Sequence, residues 1–155
     1  MYDHQEIKDS KQLLKTAEVM LSDSELSVSA MANISALLKQ YYPEANWIGF
    51  YLAKEEMLYL GPFQGLSACQ FIPFGKGVCG TAAITKKTQI VKDVTELENH
   101  ISCDSSSLSE IVVPIIINNQ VYGVLDIDSP FKASFSIDDQ RFLEELMEIL
   151  IPYLK

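Results

Sequence analysis

Three cysteines, Cys69, Cys79 and Cys103, are followed along the chain by three acids, Glu110, Asp126 and Asp128. Thiols near carboxylates suit redox chemistry, in which a thiolate is the reacting form and a carboxyl can give or take a proton. The start, Met1-Tyr2-Asp3-His4-Gln5-Glu6, has neither a basic n-region nor an apolar h-region, so a cytoplasmic protein is expected, where stable structural disulfides are uncommon. The odd cysteine count points the same way. The alternative is that all three cysteines are buried as small hydrophobes, and the neighbouring motifs must decide.

Asp126 and Asp128 lie two apart in a strand pattern, so both project from one face while Leu125 and Ile127 project from the other. Alternating Asp can also be a solvated strand surface, but Gly61, Gly65, Gly75, Gly77 and Gly80 argue for shaped loops nearby. Glu110 poses a question of register. If Asn118 and Asn119 alone form the hairpin turn, Glu110 falls opposite Ile127 on the wrong face; a longer loop or a bulge aligns it with Asp128. Pro114 cannot donate to a ladder, which favours an irregularity.

Cys103 has few basic neighbours, since Asp104 follows it and His100 lies three residues before it. His100 is either a base for that thiol or an exposed loop histidine. A zinc site would combine the cysteines with His100, but the gaps from 69 to 79 and from 79 to 103 contain no close Cys-x-x-Cys pair. Neither a metal nor a cofactor is expected. The GKGVCG segment at 75–80 lacks the Walker pattern and reads as a tight turn entering a short helix.

The elements that must position these residues are legible from periodicity. Leu13, Leu14, Ala17, Met20 and Leu21 form one helical stripe, and Ile34, Leu37, Leu38 and Tyr41 a second, which Pro43 ends. Strands are expected at about Trp47 to Leu52 and Met57 to Leu60, after which Gly61, Pro62 and Gly65 break regularity. Polar residues dominate 95–107. Ile111 to Ile117 and Val121 to Ile127 flank Asn118-Asn119 as a hairpin. A last helix is capped by Ser136 and buries Phe142, Leu143, Leu146, Met147, Leu150 and Ile151. No strand–helix–strand alternation demands a parallel sheet, so the fold class is α+β, a central antiparallel sheet with the N- and C-terminal helices on one face. Those helical stripes are core, or extend into a partner subunit.

At 155 residues and 48% hydrophobic, the chain can bury one core as a single domain over 1–155 without staples. Its 12 Lys and Arg against 21 Asp and Glu, net charge −9, repel nucleic acid and anionic membranes. No apolar run reaches the roughly 20 residues that span a bilayer.

Five groups of residues, WIGFY at 47–51, GPFQGLSAC at 61–69, GKGVCG at 75–80, HISCD at 100–104 with SEIVVP at 109–114, and VLDIDS at 124–129, resemble the free methionine-(R)-sulfoxide reductases, stand-alone GAF-domain enzymes. The resemblance covers nearly the whole chain. It implies a GAF-like fold and reduction of free methionine-(R)-sulfoxide without a cofactor. It also implies Cys103 as nucleophile, a recycling disulfide to Cys69 or Cys79, and a pocket of Glu110, Asp126 and Asp128 walled by Trp47 and Tyr51. A thioredoxin-type reductant and a homodimer are expected with it. Two competing classes are a GAF sensor, for which 155 residues leave no output segment, and a zinc-stabilised interaction protein, which lacks the ligand spacing.

Overall fold

A computed structural model describes residues 6–99, 103 and 105–155. Its first helix, α1 (Ser10–Leu21), starts at Asp9, whose side chain accepts the Gln12 N–H, and buries Leu13, Ala17, Met20 and Leu21. The second, α2 (Ser27–Tyr41), ends just before Pro43, and the last, α4 (Ile137–Leu150), is closed by a reciprocal capping box between Ser136 and Asp139. Their apolar stripes fall where the periodicity puts them. Helices α2 and α4 pack on one face of a single sheet, in one core with Ile48, Phe50, Ile111, Val113, Leu125 and Ile127, and α1 packs on both helices. No helix among the described residues is long and apolar enough to cross a membrane.

The sheet has six strands in the order β3-β2-β1-β6-β5-β4, every pairing antiparallel. They are β1 (Trp47–Lys54), β2 (Met57–Gly65), β3 (Phe71–Pro73), β4 (Gln89–Val91), β5 (Ser109–Ile117) and β6 (Gln120–Ser129). The short edge strands β3 and β4 carry too few residues to show a period, and the sequence reading passes over them. A third α-helix, α3 (Gly77–Thr85), follows the glycine turn at 75–80 as expected and covers the face opposite the three long helices.

Two bulges decide which residues share that face. In the β5–β6 hairpin, Asn118 and Asn119 both take positive φ, and Ile117 pairs with Gln120 and Ile116 with Val121. Ile115 then pairs with Gly123, so Tyr122 is an extra residue on β6. The slip moves Glu110 from opposite Ile127 to opposite Asp128. The second bulge lies in β2: Gly49 pairs with Phe63 but Tyr51 with Leu60, leaving Gly61 and Pro62 against Phe50. Here the structure departs from the expectation that Gly61-Pro62 ends the strand. β2 continues to Gly65, because a bulge tolerates a residue without an N–H where a regular ladder does not.

Candidate active site

The face under α3 carries three rows of side chains that register alone defines. Trp47, Asp128 and Glu110 lie side by side across β1, β6 and β5; Gly49, Asp126 and Val112 form the next row. Tyr51 and Val124 begin the third. Gly49 leaves open the place beside Asp126, and Phe63 fills it, since a Cβ at 49 would lie 2.3 Å from the Phe63 Cβ. Phe63 in turn stacks on Trp47, centroids 5.2 Å apart, and Trp47 on Tyr51 at 5.7 Å. The result is an aromatic wall facing an acidic floor, enclosing a cavity of about 40 Å³.

Cys79, Cys103, Glu110, Asp126, Asp128, Trp47 and Tyr51 all line this cavity. Cys69 does not line it, but is bonded to Cys103 in a disulfide with Cα atoms 5.5 Å apart. Cys79 is a free, buried thiol on α3. Two of the three cysteines of the zinc grouping are thus bonded to each other, and His100 lies outside the described residues. Sequence reasoning missed the contribution of Lys76, Gly77, Val78 and Ser107 to the lining. The GKG turn ahead of a small-residue helix was the available signal for the first three; Ser107 is placed by the Asn46 amide, 3.0 Å from its Oγ, which no local pattern shows.

Burial governs the electrostatics. Glu110 and Asp126 are 6% exposed, and among the described residues Lys76 alone brings a cation to the cavity lining. Desolvation, then the charges of Asp126 and Asp128, pushes the Glu110 carboxyl well above its ordinary value. Asp126 is pushed up by burial as well, against the hydrogen bonds it shares with Glu110 and Cys79. The Cys79 thiol is raised first by burial and then by the neighbouring acids, and it donates to Glu110 Oε1 at 3.9 Å. Asp126 Oδ1 is enclosed without a hydrogen-bond partner. One atom each of Cys79, Glu110 and Asp126 lies within 4.8 Å of the others, and a divalent cation held there would need these groups in the charged forms that burial disfavours.

The upward shift at Glu110 has a measurable consequence for stability. Glu110 ionises in the unfolded chain near pH 4.5 but at a higher pH when folded. Its contribution is therefore fully present below that pH and is lost as pH rises through the native value, at up to about 1.4 kcal/mol per pH unit for one site. Denaturant unfolding of the reduced protein should show Glu110→Gln gaining stability relative to the unsubstituted chain as pH rises from 4.5. A difference independent of pH would mean that Glu110 is ionised in the folded state.

Comparison with known proteins places this arrangement. The family model for the GAF domain matches residues 30–150. The free methionine-R-sulfoxide reductase of Escherichia coli is 47% identical over 77% of this chain and 73% of its own length. That of Saccharomyces cerevisiae is 48% identical over 84% of this chain and 77% of its own. The X-ray structure of free methionine-R-sulfoxide reductase from Neisseria meningitidis, in complex with its substrate, superposes with a TM-score of 0.93 at 39% identity, covering 98% of this chain and 94% of the other. By matched length and identity, and with an acid-floored, cysteine-lined cavity on the sheet face under α3, this chain belongs to the GAF-domain family and, within it, to the free methionine-R-sulfoxide reductases.

Proposed function

We propose that the cavity reduces free L-methionine-(R)-sulfoxide to methionine with Cys103 as nucleophile and Cys69 as the cysteine that resolves it. The Cys103 thiolate attacks the sulfoxide sulfur to form a sulfur–sulfur bond and the oxygen takes up a proton; the hydroxyl then passes to the Cys103 sulfur as the S–O and S–S bonds to the substrate sulfur break. Methionine leaves and the oxygen remains on Cys103 as a sulfenic acid, two electrons having passed from the thiol to the substrate. Cys69 then displaces that oxygen as water and forms the disulfide. The observation that carries this reading is the Cys69–Cys103 disulfide at the edge of a cavity whose floor holds buried carboxyls.

Glu110 is the proton donor, because burial raises its pKa and so favours its protonated form in the cavity that Cys103 also lines. Asp126, with its unpartnered Oδ1, and Asp128 receive the substrate ammonium. The first-turn amides of α3 at Val78 and Cys79 have no intrahelical acceptor and, with Lys76 in the same cavity lining, suit the substrate carboxylate. Trp47 and Tyr51 pack against the methyl-thio end. Cys79 serves as a neutral donor that holds Glu110 in place.

The same reading takes residues 1–155 as one catalytic domain, supported by a core that runs from Leu13 to Leu154. It includes a thioredoxin-type dithiol donor in the cytoplasm, since a disulfide must be reduced between turnovers. It also includes a homodimer, for which exposed Val19, Leu26 and Val28 at the outer end of α1 and α2 offer apolar surface.

Chromatography of racemic free methionine sulfoxide with excess dithiothreitol should stop near half conversion with the S epimer left. Swapping oxygen and lone pair at sulfur turns the oxygen away from Glu110. The N-acetyl amide of the sulfoxide should react roughly 10²-fold more slowly or worse, because it leaves a buried carboxylate without its cation at about 3 to 5 kcal/mol. Comparable rates on the blocked substrate, or consumption of both epimers, would overturn this account of the pocket.

A further inference from the structure

The loop that carries Cys69, residues 66–70, has no helix or strand bonding of its own. It is tied down by the two rings of the cavity wall. Trp47 Nε1 donates to the Leu66 carbonyl at 3.2 Å, and the Tyr51 hydroxyl donates to the carbonyl of Cys69 itself at 2.9 Å. Beyond the cysteine, the Leu60 N–H donates to the Gln70 carbonyl at 3.0 Å. Both rings are nearly immobile, being 3% and 2% exposed and stacked on one another. At Gly65, φ is +142° and a Cβ would stand 2.7 Å from Trp47 Cδ1, so the chain enters the loop across the indole edge. Burial, reinforced by Asp126, Cys79, Asp128 and Glu110, raises the Tyr51 hydroxyl, which therefore keeps its proton and remains a donor.

We propose that Tyr51 is a positioning residue for the recycling step: through the Cys69 carbonyl it holds the Cys69 thiol within reach of the Cys103 sulfenic acid. The proposal rests on the assignment of Cys103 and Cys69 given above. In that step the Cys69 sulfur attacks the Cys103 sulfur and the S–O bond breaks. The oxygen leaves as water, carrying its own proton and the one from the Cys69 thiol. A disulfide needs the two Cα atoms about as close as the 5.5 Å found here, and a five-residue loop without ladder bonds meets that condition only part of the time unless it is held. A ring that only walls the substrate would act on methionine formation and leave closure of the disulfide untouched.

The test is Tyr51→Phe, which keeps the ring and removes only the donor. Reduced protein is mixed rapidly with excess methionine sulfoxide in the absence of reductant and quenched at intervals with dimedone. Mass spectrometry then follows the conversion of Cys103 sulfenic acid into the Cys69–Cys103 link as a first-order step separate from its formation. Closure should slow by roughly three- to tenfold, the loss of one neutral hydrogen bond, and the trapped sulfenic acid should accumulate. Steady-state turnover should fall more with a thioredoxin-type donor than with high dithiothreitol, which reduces the sulfenic acid directly. Closure at the unsubstituted rate overturns the proposal, as does a defect equally large with both reductants. If the unsubstituted chain makes methionine without ever linking Cys69 to Cys103, the assignment of the resolving cysteine falls, and this inference with it.

Discussion

Replacing Cys103 with serine is expected to lower turnover by roughly 10³-fold or more while the cavity persists, because a serine hydroxyl stays protonated at neutral pH and is a poor nucleophile toward sulfur. Cys69→Ser is expected to behave differently. It should release about one methionine per chain, because the attacking thiol is intact, and then stall as a Cys103 sulfenic acid. Rapid-quench measurement without reductant separates the two variants. A Cys103→Ser protein that forms stoichiometric methionine would defeat the assignment of the nucleophile. The comparison belongs on reduced proteins, since the disulfide closes a loop between positions 34 apart and its loss alone removes about 3 to 4 kcal/mol of stability from the oxidised form.

Glu110→Gln is expected to lower kcat by roughly 10²-fold or more with little change in KM, since the amide fills the same space beside Cys79 but has no acidic proton to give. Asp126→Asn should show the converse, a raised KM, if its enclosed Oδ1 meets the substrate ammonium. The pH profile distinguishes the roles further. A donor carboxyl works below its raised pKa, so kcat should fall as pH rises through that value, and the Gln variant should lose this limb. A Glu110→Gln protein altered only in KM would reassign Glu110 to binding.

The aspartate pair and the glutamate differ in how far local sequence reaches. Asp126 and Asp128 share a face because a strand repeats every two residues, a property of the backbone that needs no knowledge of the rest of the chain. Glu110 joins them only through Tyr122, the extra residue on β6, and a bulge costs so little that many sequences permit one and few require it. The alternative registers were legible from the turn; the choice was not. The expected end of β2 at Gly61 fails for a related reason. Gly61 and Pro62 are turn residues by type, but with β1 paired alongside they become a bulge that lets Phe63 reach Trp47.

By itself the sequence determined the amphipathic helices with their caps, the Asn118-Asn119 turn, the antiparallel α+β class and the residue types able to do thiol chemistry. Each of these depends on contacts within a few positions along the chain, where periodicity and side-chain chemistry act directly. Only the tertiary structure decided that Cys103 pairs with Cys69 while Cys79 stays free beneath the acids. It also decided that Glu110 is buried among acids that raise its pKa and that the Tyr51 hydroxyl faces the Cys69 carbonyl. Those properties arise from distance and desolvation between segments tens of residues apart, and both are set by how α3 and the 66–70 loop close over the sheet.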